Sequence, residues 1–138
     1  MILDYPLIFT TRSEYSPQES GLTIEVTLQL GEETVVARAK IDTGAQVCLF
    51  QREIGEHLGL NIESGHRCTI DTLAGSLLAY RHFMRLHTLG LEFDSTIYFA
   101  AHPGLPRNLL GREGWLQKVK LAVVDYDAAI YLSHYDYT

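Results

Sequence analysis

Asp42 is followed at once by Thr43, Gly44 and Ala45, and Leu109, Leu110, Gly111 and Arg112 stand about seventy residues further on. A carboxylate at the end of a strand, set among small residues, has the makings of a catalytic loop. Glycine permits close backbone approach or unusual φ, alanine leaves room for a ligand, and the threonine hydroxyl can lock the loop by hydrogen bonding. The same four residues also read as an ordinary turn in which aspartate accepts a local hydrogen bond. The tetrapeptide alone does not choose between a turn and a site.

The elements that must position these residues are written in alternation. "LTIEVTLQL" (22–30) and "TVVARAKI" (34–41) alternate apolar and polar around a "GEE" turn, so they form a hairpin whose second strand runs into Asp42. Ile54 and Leu58, four apart and followed by Gly59, predict a short helix. Residues 66–101 hold strand-like runs broken at Ala74-Gly75 and Gly90, a spacing suited to antiparallel pairing. "HPGLP" (102–106) is a turn cluster, after which a short apolar strand, a glycine, a short helix and two strands are expected. The fold class is therefore mainly β with one or two short helices.

"AKIDTGA" together with "NLLGREGWL" resembles the retropepsin-like, or retroviral-type, aspartic proteases. In that family an Asp-Thr-Gly-Ala loop is followed, after a flap hairpin and further strands, by two apolar residues, a glycine, an arginine and a short helix. The resemblance runs over residues 22–132 and implies a closed antiparallel β-barrel-like acid protease fold with a flap hairpin. Residues 1–21 are then an N-terminal arm able to act as a dimerisation strand, and 133–138 a C-terminal tail. Apolar and aromatic residues in both ends favour a place in a dimer sheet over free tails.

The resemblance also implies a mechanism that needs two carboxylates held close together, sharing a proton and activating a water. Near-repeats of the loop occur at Asp71 ("IDTLAGS") and Asp94 ("FDSTIY"), but Leu73 and Thr96 stand where the glycine belongs, so neither makes the same tight loop. The chain is also about half the length of a bilobal enzyme, so Asp42 pairs with its own copy in a symmetric homodimer. Thr43 would then bond across the axis, Gly44 would offer its carbonyl to substrate and Ala45 would keep a subsite open. Leu73, Ala74, Gly75 and Ser76 would form the flap tip, with Ala74 and Gly75 at its turn. Leu110 and Gly111 would support the loop from beneath, and Arg112 would brace it with polar bonds.

Two residues depart from the viral pattern. Gln46 replaces the acidic residue that commonly follows the loop, and Glu113 replaces a small polar residue after the arginine. Both bear on what Arg112 can bind. The implied activity is an aspartic endopeptidase acting on an extended polypeptide. Its rival is a catalytically silent peptide-binding or dimerisation module of the same fold.

Composition narrows the remaining classes. At 138 residues the chain suggests one domain, and a net charge of −6 with scattered basic residues lacks the cationic surface that nucleic-acid binding needs. No apolar run approaches the roughly 18 residues of a membrane span. Asp4 stands where a signal peptide would carry Lys or Arg, so a cytoplasmic address is expected. Cys48 and Cys68 have no metal-ligand spacing, and Cys48 reads as a small core residue. The six histidines show no HExxH arrangement, so no metal or other cofactor is expected.

Overall fold

In the computed structural model, residues 3–138 are described; Met1 and Ile2, the first two residues of the expected arm, lie outside the described residues. Strands β2 (Thr23–Leu30) and β3 (Glu33–Ile41) form the expected hairpin, with Ile24 opposite Ala39 and Val26 opposite Ala37, and with Leu28 and Ile41 also in the core. Strict alternation buries one face of each strand and leaves the charged face to solvent. Strand β4 (Cys48–Phe50) follows the Asp42 loop and leads into helix α1 (Arg52–His57), the expected short helix. Ile54, from the helix, and Leu58, just past its end, pack into the core beside Phe50 and Phe99, whose ring centroids are 6.5 Å apart.

Strands β5 (His66–Thr72), β6 (Gly75–Thr88) and β7 (Leu91–Ala100) make an antiparallel meander, as the spacing of turn residues implied. The β6–β7 turn is Leu89-Gly90, with φ of 46° and 83°, the pair of positive values that a tight hairpin twisted to match its strands demands. Strand β8 (Asn108–Leu110) then inserts between β3 and β4.

The order β2-β3-β8-β4-β7-β6 is closed by pairing of β2 with β6, from Val26↔Thr88 to Gln29↔Arg85, giving a barrel of six strands. This is the mainly β, barrel-like fold expected from the sequence. Two ladders, β3–β8 and β4–β7, are parallel rather than antiparallel. The reason is topological. Strands β3 and β8 are separated by β4, α1 and the β5–β6–β7 meander, so β8 arrives by a crossover and lies alongside β3 in the same direction.

The expected helix after Arg112 is a single 3₁₀ turn, Leu116–Lys118, and Trp115 just before it is fully buried in the core. Strands β9 (Val119–Val124) and β10 (Ala129–His134) follow, and β1 (Thr11–Glu14) pairs with β10 to complete a separate antiparallel sheet of order β1-β10-β9. Part of the arm is thus paired within its own chain. Tyr15 secures it by donating its hydroxyl to Asp125 in the β9–β10 connection. Strand β10 extends through His134, with Ser133 buried, so residues 133 and 134 belong to the sheet rather than to a tail. Among the described residues no helix is long and apolar enough to cross a membrane.

Candidate active site

Strand β3 ends on buried Ile41, and the next residue is pinned: the Asp42 N–H donates to the Leu110 carbonyl at 2.9 Å. The chain then turns back on itself, with the Ala45 N–H donating to the Asp42 carbonyl at 3.2 Å. Within the turn the Gly44 N–H donates to the Asp42 carboxylate Oδ1 at 2.9 Å. That bond fixes one carboxylate oxygen over the turn, while Thr43 and Gly44 remain exposed. Gly44 is not in the left-handed region, so unusual φ is not its role here. Space is: a Cβ there would sit 3.3 Å from Oδ1 and press on the carboxylate.

The second motif holds this loop by its backbone. Arg112 N–H donates to the Ala45 carbonyl and Glu113 N–H to the Gln46 carbonyl, both at 2.9 Å, and Val47 forms a parallel bridge with Glu113. Gly111 lies directly against the loop. A Cβ at that position would fall 2.7 Å from the Val47 carbonyl carbon and 2.8 Å from the Ala45 oxygen, and nearer still to the Val47 oxygen. Leu110 is fully buried beneath. Beyond the motif, the Leu116 N–H donates to the Gly111 carbonyl and the Gln117 N–H to the Arg112 carbonyl, so the 3₁₀ turn hangs from the same segment.

Arg112 meets the loop through a polar bond of its backbone and not through its side chain. Its guanidinium is exposed and joins none of the ion pairs or side-chain hydrogen bonds among the described residues. Gln46, also exposed, carries no charge to hold it. The brace is the backbone N–H of Arg112.

Cys48 packs beneath the loop, fully buried, with its Sγ 3.3 Å from the Glu113 carbonyl. Burial pushes this thiol from its ordinary value near 9 up to about 12. Because the folded value lies above the unfolded one, the associated stability is complete below pH 9 and is lost as pH rises through 12. Cys68, half-buried on β5, is also shifted upward by burial, with Arg81 opposing. In native protein near neutral pH an alkylating reagent is therefore expected to modify Cys68 alone, with Cys48 reacting at the rate of unfolding. Mass mapping of the labelled cysteines checks this, and prompt labelling of Cys48 would contradict its burial.

The flap candidate is the β5–β6 hairpin. Its turn is Leu73-Ala74, one residue earlier than expected, because Gly75 already pairs with Thr72 as the first residue of β6. Thr72 Oγ1 donates to the Gly75 carbonyl at 2.7 Å and accepts from the Ala74 N–H at 3.2 Å, while Ser76 Oγ donates to Asp71 Oδ1 at 3.0 Å. Leu73 is wholly exposed at the tip. Strand β5 has a neighbour on one side only.

Asp71 thus lies on β5 beside the β5–β6 turn, and Asp94 lies exposed on β7, 3.2 Å from the Arg85 guanidinium. Neither is in the Asp42 loop. His82 is buried with Nε2 2.8 Å from the Ile62 carbonyl, and His87 contacts Gln29, each bound to a structural partner. Among the described residues no group of three or more His, Cys, Asp or Glu could hold a metal ion.

Two features escaped the sequence reading. One is an apolar cluster of Leu49, Ala79 and Tyr98, with Val47, Ile70 and Leu77 against it, which joins the segment after the Asp42 loop to the β5–β6 hairpin. The other is Asn108. Its buried amide accepts from the Gln51 N–H at 2.8 Å and donates to the Arg38 carbonyl at 2.9 Å, fixing β8 between β3 and the entry to α1. A polar residue heading an apolar strand, as in "NLL", was the available signal.

No protein-family model matches this chain, and no curated protein sequence matches it. Solved structures do match. One is the EIAV protease complexed with the inhibitor HBY-793, at a TM-score of 0.54 and 17% identity, covering 70% of this chain and 86% of that one. At that identity the likeness is one of fold: the chain has the β-barrel fold of a retroviral protease.

Proposed function

We propose that this protein is an aspartic endopeptidase whose active site is shared by two copies of the chain. The observation that carries this reading is the Asp42 loop, laced by backbone bonds to Gly111–Glu113 within a retropepsin-type barrel. That framework spans 22–132, with the ends serving assembly. A single chain offers one such carboxylate, on an exposed loop. The second carboxylate is therefore supplied by a second copy across a two-fold axis.

Two carboxylates brought within about 4–6 Å do not both stay ionised, so the pair holds one proton. The ionised member takes a proton from water as its oxygen attacks the peptide carbonyl carbon. The protonated member gives its proton to the carbonyl oxygen, producing a neutral diol. Collapse of the diol breaks the C–N bond: a diol hydroxyl gives its proton to the ionised member while the protonated member gives its own to the leaving nitrogen, so the acid, the amine and a singly protonated dyad result. Thr43, exposed and free to bond across the axis, would hold the two loops coplanar. Gly44 and Ala45 would meet the substrate main chain and an adjacent side chain. The apolar cluster from Val47 to Leu77 suits apolar or aromatic substrate side chains.

The flap Leu73–Ser76 would close over the peptide and exclude water. Leu73→Ser is then expected to lower kcat/KM by about 10- to 100-fold, the worth of burying one leucine on closure. Its melting temperature should stay that of wild type, because the side chain is exposed in the free protein. Steady-state kinetics beside a thermal melt checks both, and an unchanged kcat/KM would remove Leu73 from the flap.

The direct test is a peptide-library digest at mildly acidic pH, with and without a statine-type mimic of the diol. Cleavage suppressed by the mimic is expected. The second reading, a peptide-binding module without chemistry, is favoured by one observation: Gln46 and Arg112 lack the charge pair that would grip a substrate end. Peptide capture by a dimer that never cleaves would select it. Either activity is assigned to the cytoplasm.

A further inference from the structure

Strands β6 and β7 turn one face outward, and on β6 that face carries Arg81, Phe83 and Arg85. The two arginines are placed differently. Arg85 stands across from Asp94 and pairs with Asp94 at 3.2 Å and with Glu92 at 3.1 Å. Arg81 stands between His66 on β5 and Tyr98 on β7, neither of them a carboxylate. Its guanidinium lies over the Phe83 ring, 5.4 Å from the ring centre, and its Nε is shut off from solvent without a hydrogen-bond partner.

Arg81 lines a groove of about 860 Å³ between this outward face and the segment 113–118. Ser95 Oγ donates to the Gly114 carbonyl at 2.6 Å, which fixes that segment to β7. No residue from Asp42 to Ala45 lines the groove. It adjoins the framework of that loop, since the Glu113 N–H donates to the Gln46 carbonyl and Tyr98 lies beside Leu49 in the β4–β7 ladder. The charged side chains in it are Arg81, Arg85, Asp94, Glu113 and Lys118. Arg85 and Asp94 answer each other, and Lys118 is exposed and joins none of the ion pairs among the described residues. Two unanswered cations thus face one unanswered anion, Glu113, in a chain whose net charge is −6.

A guanidinium partly withdrawn from water and given no counter-charge attracts an anion to its remaining N–H groups, and a carboxylate matches their fork. We propose that the groove receives an acidic stretch of the substrate polypeptide, with a Glu or Asp carboxylate on Arg81 and further negative charge toward Lys118. The inference rests on the endopeptidase reading, which makes that polypeptide a substrate. Phe83, 68% exposed beside Arg81, favours a peptide over a free anion, because only a chain with side-chain stems covers the ring as well as the charge. The contact supplies a grip on substrate that Gln46 and Arg112, without a charge pair, do not.

Paired peptides test this. Each is fluorescein-labelled with Phe-Phe at its centre, and within a pair the residues flanking the centre on one side are Glu in one member and Gln in the other. Binding is read by anisotropy on Asp42→Asn protein, which leaves the peptides uncut. The Glu member of at least one pair should bind about 10-fold more tightly, the scale of one hydrogen-bonded charge contact. Adding Arg81→Gln should abolish the preference, Arg81→Lys should keep part of it, and Glu113→Gln should widen it by removing a like charge. Circular dichroism of each variant should stay that of the folded chain.

Equal binding of the Glu and Gln members of every pair would overturn the proposal. A preference that survives Arg81→Gln, or that narrows in Glu113→Gln, would overturn it too. In the protein that retains Asp42 the same preference should appear in kcat/KM. An Arg81-dependent preference in a protein that cleaves none of the peptides would uphold the groove as an acidic-peptide site and reject the protease reading. Cleavage of both members of every pair at equal kcat/KM would do the reverse.

Discussion

Asp42→Asn is expected to lower peptide-bond hydrolysis by about 10⁴-fold or more, the scale of removing a member of a catalytic unit. Asparagine matches aspartate in shape and keeps an Oδ1 to accept from the Gly44 N–H, so the bond at 2.9 Å survives. The backbone bonds of residue 42 to Leu110 and Ala45 do not involve the side chain at all. What the substitution removes is the ability to take up and return a proton. The variant should therefore fold, dimerise and bind a statine-type inhibitor while failing to cut. Measurement requires a turnover assay on a defined peptide together with sedimentation and an inhibitor titration on the same preparation. Cleavage at the wild-type rate by the variant would exclude Asp42 from the chemistry.

Gly111→Ala should have the largest effect on stability, about 3 kcal/mol or more, which is the class of a forced backbone shift in a packed core. The groups a methyl would strike are the Val47 carbonyl and the Ala45 oxygen, all backbone. The Ala45 oxygen is itself held by the Arg112 N–H, so relief means breaking the lacing that positions Asp42. For a chain of this size such a loss corresponds to a fall in Tm of roughly 10 °C, with activity lost in parallel. Gly44→Ala supplies the contrast, because its nearest contact is the mobile Asp42 carboxylate at 3.3 Å. It should melt close to wild type yet cleave poorly. Thermal unfolding of both variants beside the turnover assay checks the pair, and a wild-type Tm for Gly111→Ala would contradict the close approach.

The parts of this protein that were legible in its sequence are those where meaning is local. The β2–β3 hairpin and the β5–β6–β7 meander follow from period-two alternation and from turn residues, because each strand pairs with its neighbour in the chain. The Asp42 loop and the Gly111 segment were visible as motifs since only particular residue types fit a turn that another backbone touches. The β5–β6 turn was misplaced by one residue because alternation sets the face of a strand but not where its ladder stops.

Tertiary structure alone decided the rest, and in each case the deciding contact joins residues far apart in the chain. Nothing in "TRSE" or "AIYLSH" states that they pair across more than a hundred residues, or that β10 thereby loses both its edges. The parallel course of β8 beside β3, and the hold of Asn108 on both β3 and α1, are settled by a crossover that no local pattern records. The resemblance implied polar bonds from Arg112 to the loop. The fold gives that task to its backbone N–H, because a main-chain donor needs no partner charge and Gln46 supplies none. Sequence by itself therefore marked the Asp42 loop and the Gly111 segment as a candidate site. Only the packed chain determined what holds them and which edge is left open, since hydrogen-bond partners and free edges are properties of the closed fold.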